Sequence, residues 1–275
     1  MAPTILRSVI AGFSRKMYNT ANFAEQPIFP SSQAFKMKIE SFSSPLALAK
    51  TAAADIAATV REKPDCVLGL ATGSSPLGIY AELVRLNKEE GLSFAGCSSV
   101  NLDEYRGLDG SNPQSYRFFM DKNLFSQIDI RRERTYMPSG VAADLGAECA
   151  AYDALIDRLG GIDVQILGIG PDGHIGFNEP ADIFVKETHL VRLEESTIRA
   201  NARFFASESE VPREAVTMGI GGIFKARKII LVASGEAKRK VLEAAVGGPI
   251  TPRLPASILQ LHPAVSVFWS PDAPA

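Results

Sequence analysis

Cys66-Val67-Leu68-Gly69-Leu70 is apolar throughout, and it opens into Ala71-Thr72-Gly73-Ser74-Ser75-Pro76. A strand loses its polar face only when both faces are covered, which is the situation of a parallel sheet wrapped by helices. Upstream, the Ala-rich stretch 46–54 reads as a helix feeding that strand. Working outward, 99–102, 164–168, 189–193, 216–220, 229–233 and 264–269 read as further short strands, with helices over 76–90, 113–124, 145–159 and 236–246. This alternation predicts an α/β fold: an open, largely parallel sheet sandwiched between helices, a modified Rossmann-like arrangement in a single catalytic domain. In such sheets the ligand crevice lies beyond the carboxyl ends of the strands, so polar residues that follow apolar runs are the candidates for chemistry.

The chain has 275 residues, 46% of them hydrophobic, enough to bury a large core. A formal net charge of -2 excludes the basic excess of a nucleic-acid binder. Cys66, Cys97 and Cys149 are too few and too scattered for a disulfide framework, and no Cys-x-x-Cys pair suggests a zinc or redox site. They read as reduced thiols of an intracellular, cytoplasmic protein. No apolar run approaches the roughly 20 residues that cross a bilayer, so no membrane association is expected.

Residues 1–36 differ from the rest. Arg7, Arg15, Lys16 and Lys36 face only Glu25, giving the segment +3 against -5 for the remainder. Ile5, Leu6, Val9, Ile10, Phe13 and Met17 fall on one helical face, the amphipathic, acid-poor pattern of an organelle transit peptide. A disordered or artificial leader ending before a start at Met37 gives the same pattern, and the catalytic domain is expected over 37–275.

Three polar clusters follow strands. The first, Thr72-Gly73-Ser74-Ser75 before Pro76, combines hydroxyls with the free N–H groups of a helix start and forms a candidate anion site. It lacks the Gly-Lys-Ser/Thr ending of a nucleotide P-loop, so a sugar phosphate fits better than ATP; a plain capping turn would look the same. The second is Asp103-Glu104-Tyr105. Neighbours in an extended segment point oppositely, so one carboxylate can face the crevice while the other anchors the loop. A carboxylate over a sugar carbon can move a proton between adjacent carbons, although a solvated acidic turn is equally compatible with the segment.

The third cluster, Gly168-Ile169-Gly170-Pro171-Asp172-Gly173-His174-Ile175-Gly176-Phe177-Asn178-Glu179-Pro180, contains Gly-x-Gly-x-x-Gly. Pro171 and Asp172 sit where a pyrophosphate would have to approach, and Gly176 and Pro180 oppose a helix start, which excludes the dinucleotide reading. Asp172, His174 and Glu179 remain as a histidine with two flanking acids, able to shuttle protons near neutral pH. No Gly-x-Ser-x-Gly elbow supports nucleophilic serine chemistry, and the ligand spacing supports no metal site. Arg203 and Lys238 add candidate phosphate contacts, the first a bidentate fork and the second a point charge.

These motifs resemble the glucosamine-6-phosphate deaminase family from about Met37 almost to the C-terminus. They are Gly-Leu-Ala-Thr-Gly-Ser-Ser-Pro at 69–76, Asn-Leu-Asp-Glu-Tyr at 101–105, Gly-Pro-Asp-Gly-His-Ile-Gly-Phe-Asn-Glu-Pro at 170–180, Asn-Ala-Arg-Phe-Phe at 201–205 and Leu-Gln-Leu-His-Pro at 259–263. Sister 6-phosphogluconolactonases share Gly-Pro-Asp-Gly-His; Tyr105 and Phe177-Asn178-Glu179 separate the two. The resemblance implies glucosamine 6-phosphate as substrate and no cofactor or metal. It implies Asp103 as the proton acceptor between C2 and C1, and His174 opening the ring with Asp172 and Glu179. It further implies Thr72, Gly73, Ser74, Ser75, Arg203 and Lys238 at the phosphate, and a mobile lid over 188–205. Members activated by N-acetylglucosamine 6-phosphate carry Arg and Lys where this chain has His189 and Val191, and they have a longer C-terminal tail. An unregulated enzyme is therefore expected, with its state as monomer or homo-oligomer left open.

Overall fold

A computed structural model describes residues 37–273; the expected leader over 1–36 lies outside the described residues. The strands are β1 (Met37–Ser41), β2 (Val67–Leu70), β3 (Ser98–Asn101), β4 (Asp103–Tyr105), β5 (Thr135–Tyr136), β6 (Val164–Gly168), β7 (His189–Arg192), β8 (Glu214–Thr217), β9 (Lys228–Ser234) and β10 (Val265–Ser270). The α-helices are α1 (Pro45–Glu62), α2 (Leu77–Glu90), α3 (Tyr116–Met120), α4 (Leu145–Arg158), α5 (Glu195–Asn201), α6 (Ile220–Phe224) and α7 (Arg239–Gly247).

Seven strands form one sheet in the order β1-β10-β9-β6-β2-β3-β5, every neighbouring pair parallel and the whole flanked by helices. Burial of all four β2 residues explains its unbroken apolar run. Leu68, Leu70, Val164, Ile166, Ile230 and Val232 join α1 and α2 in one core. Each fully buried aliphatic side chain there contributes about 1.5–3 kcal/mol. The Ser44 hydroxyl caps α1 by accepting from Ala47 N at 3.2 Å, and Pro45 pre-sets the first turn. Its alanines Ala52, Ala53 and Ala57 are wholly buried and let α2 approach.

The chain leaves β2 for β3 on one side and returns through β6 on the other. Their carboxyl ends diverge at this reversal, and a crevice opens there.

The expected strands 189–193 and 216–220 do not join the large sheet. As β7 and β8 they pair antiparallel, β8 taking β4 on its other edge, in a separate three-stranded sheet. In β7, Leu190 and Arg192 are exposed while His189 and Val191 are half-buried, the pattern of an edge strand with one wet face. The expected strand to 220 stops at Thr217, and Ile220 instead begins α6. The expected helix 113–124 is shorter at its start and continues from α3 as a π-helical turn, Asp121–Phe125.

The two sheets meet at Leu102. Its N–H donates to Leu70 O at 3.2 Å, extending the parallel ladder, while its carbonyl accepts from Met218 N at 2.6 Å in the antiparallel one. The chain therefore changes sheets immediately before Asp103.

Candidate active site

A cavity of about 490 Å³ occupies the crevice, within the usual range for small-molecule sites. Thr72, Gly73, Ser74, Ser75, Asp103, His174, Arg203 and Lys238 all line it. Asp172 and Glu179 reach it through their contacts with His174.

The loop after β2 is anchored from beneath. Tyr80, wholly buried in α2, donates its hydroxyl to Ala71 O at 2.5 Å and accepts from Ala71 N at 3.2 Å. Gly73 then turns in the left-handed region at φ 89, where a β-carbon is disfavoured. Arg203 Nη2 donates to Ser74 Oγ at 3.3 Å, and Lys238 Nζ donates to Ile169 O at the end of β6. Burial lowers the Lys238 pKa; Asp172 opposes that shift and Arg203 adds to it. Hydroxyls, a helix start and two cations thus border the same cavity, an arrangement suited to a phosphate.

Strand β4 turns its two acids in opposite directions. Glu104 accepts three backbone N–H groups, from Tyr105 at 2.8 Å and from Tyr116 and Arg117 at 2.9 Å, and thereby holds the start of α3. Burial raises its pKa although the three amides act against the rise. Asp103 is 5% exposed, and it lines the cavity. Burial first, then the charge of Glu104, push its pKa up to about 8, with His174 pulling the other way. A carboxylate near that value can both accept and return a proton at neutral pH.

The loop after β6 carries His174. Its Nδ1 lies 2.7 Å from Asp172 Oδ1 and 3.4 Å from Glu179 Oε2. The ring N–H is aligned with neither oxygen, so these are ion contacts more than hydrogen bonds. Burial would lower the imidazole pKa, but the two carboxylates outweigh it and raise it to about 9. Burial would likewise raise the pKa of Asp172, yet the imidazole holds it at about 2. Asp172 Oδ1 also accepts the His174 backbone N–H at 3.1 Å.

This loop is stapled to the small sheet. Phe177 N donates to Thr217 Oγ1 at 3.0 Å, and Asn178 Nδ2 donates to Ile175 O and Met218 O, each at 2.9 Å. Asp103 and Thr217 are cross-strand partners, so the same rung carries the buried acid and the staple. Tyr116 also lines the cavity and donates its hydroxyl to Tyr105 Oη at 3.2 Å. Sequence reasoning missed both Thr217 and Tyr116. Each meets the site through tertiary contacts that leave no local pattern.

Ligand-type atoms of Asp172, His174 and Glu179 all lie within 4.8 Å of one another, so among the described residues this trio could hold a metal ion. The two carboxylates face Nδ1, and their charge favours the protonated ring. His189 and Val191 lie on β7 away from the cavity, the His189 Nδ1 meeting Glu187 O at 2.9 Å.

A family profile described as glucosamine-6-phosphate isomerases/6-phosphogluconolactonase matches residues 43–269. The glucosamine-6-phosphate deaminase of Lachnoclostridium phytofermentans is 54% identical over 232 residues, 84% of this chain and 98% of that one. The glucosamine-6-phosphate deaminase of Clostridioides difficile is 54% identical over 215 residues, 78% of this chain and 86% of its own. Among solved structures, a monomeric glucosamine-6-phosphate deaminase superposes with a TM-score of 0.84 at 46% identity, covering 85% of this chain and 97% of that one. The 6-phosphogluconolactonase of Thermotoga maritima shares the fold at a TM-score of 0.68 and 18% identity, over 86% of this chain and 100% of its own.

Proposed function

The chain belongs to the family of glucosamine-6-phosphate isomerases and 6-phosphogluconolactonases, and we propose that it is a glucosamine-6-phosphate deaminase, converting glucosamine 6-phosphate and water to fructose 6-phosphate and ammonia. The observation that carries this reading is the make-up of one cavity: a buried, proton-holding Asp103 and the Asp172–His174–Glu179 cluster share it with hydroxyls and two cations.

With the phosphate held by the loop 72–75, Arg203 and Lys238, the sugar's C1 and C2 reach Asp103 and His174. His174, kept protonated by its carboxylates, gives a proton to the ring oxygen while the anomeric hydroxyl proton passes to the cluster, and the ring opens to the aldehyde. Asp103 takes the proton from C2 as the aldehyde oxygen is protonated, forming an enolamine. It returns the proton to C1, leaving an iminium carbon at C2. Water adds to C2, the nitrogen takes up a proton, and ammonia leaves as the C2 carbonyl forms. Asp103 and the His174 cluster carry the ring-opening and carbon proton transfers, and no metal or organic cofactor enters the scheme. The enzyme domain is residues 37–275, with the segment around 188–205 closing over the bound sugar.

A coupled assay of ammonia and fructose 6-phosphate, run in EDTA with glucosamine 6-phosphate, tests the proposal. Stoichiometric release of both products is expected. Hydrolysis of 6-phosphogluconolactone with no ammonia from the amino sugar would move the chain to the sister activity of the same fold. Tight sugar-phosphate binding with no turnover of either compound would make it a sensor.

A further inference from the structure

Beside the catalytic cavity lies a second one of about 270 Å³ that the deaminase scheme does not use. Its floor is Leu77 at the start of α2 with Phe118 and Phe119 of α3, and its roof is Phe204 and Phe205. Gly73 and Tyr116 line both cavities and form the partition between them. Gln114, Ser115 and Asn123 also border the second cavity, but its one charged lining residue is Lys122, exposed and with no ion-pair partner among the described residues. Phe204 is 41% exposed and Leu77 37%, so this apolar surface is open to an incoming molecule.

We propose that this cavity is a binding site for a small aromatic carboxylate, the ring lying between Phe119 and Phe204 and the carboxylate meeting Lys122. Size supports the assignment, because a dry cavity of about 150 Å³ already holds benzene, and 270 Å³ leaves room for a second ring or a short side chain. Charge supports it as well. A neutral ring would forgo the Lys122 ammonium, and a dianionic sugar phosphate would face one cation among eight aromatic or aliphatic side chains.

The two cavities are joined mechanically. Phe204 and Phe205 directly follow Arg203, whose guanidinium lies 4.6 Å over the Phe204 ring and whose Nη2 reaches Ser74. Phe205 packs edge-on against Tyr105, the residue after the Asp103-Glu104 pair, with ring centroids 5.7 Å apart. A ring wedged between α3 and Phe204 therefore holds Arg203 at the anion loop. Occupancy then tightens phosphate binding, and by reciprocity phosphate tightens the aromatic acid by the same factor. The coupling rests on the assignment of loop 72–75 and Arg203 as the phosphate cradle; the binding site itself does not.

The test uses the full chain, 2-naphthoate as a fluorescent probe and inorganic phosphate as the partner ligand, so no turnover is needed. Saturable naphthoate binding is expected, strengthened about fivefold or more by saturating phosphate. Phe119→Trp, which fills the cavity, should abolish binding, and Lys122→Met should weaken it at least fivefold; both should leave kcat on glucosamine 6-phosphate unchanged without the probe. Should Phe119→Trp fail to fold, the surface variant Lys122→Met decides alone. Naphthoate that does not saturate, that phosphate displaces, or that binds the Lys122 variant as well as the parent overturns the site. Because these readouts involve no reaction, failure of the deaminase assay and failure of this site remain separate results.

Discussion

Gly170 and His174 are packed so closely that a β-carbon on the glycine would lie 2.2 Å from the imidazole Cε1 and 2.3 Å from Nδ1. Gly170 is not among the glycines with positive φ, so its backbone would accept alanine, and the imidazole alone forbids it. Gly170→Ala should therefore keep its fold by far-UV circular dichroism and lose about 10²-fold or more in kcat, because the displaced ring no longer faces Asp172 and Glu179. Near-parental activity in this variant would show that the ring position is immaterial.

The pH profile follows from two raised pKa values. Asp103 must be ionised to take a proton from carbon, so kcat/KM should rise with pH toward about 8. His174 must be protonated to open the ring, so kcat/KM should fall again above about 9. A narrow bell with its maximum in the mildly alkaline range is expected from initial rates at low substrate. A plateau extending down to pH 5 would remove Asp103 from the role of base.

Asp103→Asn should separate activity from stability. Activity should drop by about 10²–10⁴-fold with the general base gone. Stability should move the other way. The folded carboxyl keeps its proton up to about 8, whereas the ordinary value is 3.8, so the folded state binds more protons and the parent loses stability as pH rises between them. Asparagine carries no such penalty. Its gain in Tm should be absent near pH 4 and largest near pH 8, as scanning calorimetry at both ends would read.

Glu104→Gln replaces one of the two carboxylate oxygens that serve three amides. An amide NH₂ group then confronts a backbone N–H, costing about 1–3 kcal/mol. Urea unfolding should register that loss, and kcat should fall more than KM rises, since β4 positions Asp103 and not the phosphate loop. Equal stability of variant and parent would show that the anchoring is dispensable.

The large sheet was legible because full burial erases polar alternation: Cys66 to Leu70 and Ile229 to Ala233 announce themselves as strands enclosed on both faces. The small sheet was not. Its β4 strand is Asp-Glu-Tyr, three buried residues of which two are acids, and a buried acid reads locally as a turn. Strand β7 was legible as a strand but not as to which sheet it enters, since pairing depends on long-range register. At the site, Asp103, Asp172, His174 and Glu179 stood out as titratable groups beside glycines at strand ends. Arg203 and Lys238 were legible as phosphate contacts from their charge alone, each locally indistinguishable from a surface cation, and the family resemblance strengthened the reading. Thr217 entered only when the chain was folded, through its bond to Phe177 N.

Leu102, shared by both ladders, is a seam between two workpieces. On one side the parallel sheet holds the anion loop; on the other the three-stranded sheet carries Asp103 and, through Thr217, grips the histidine loop. Handle and tool are therefore separately mounted. A solved deaminase at 46% identity and a lactonase at 18% share this fold.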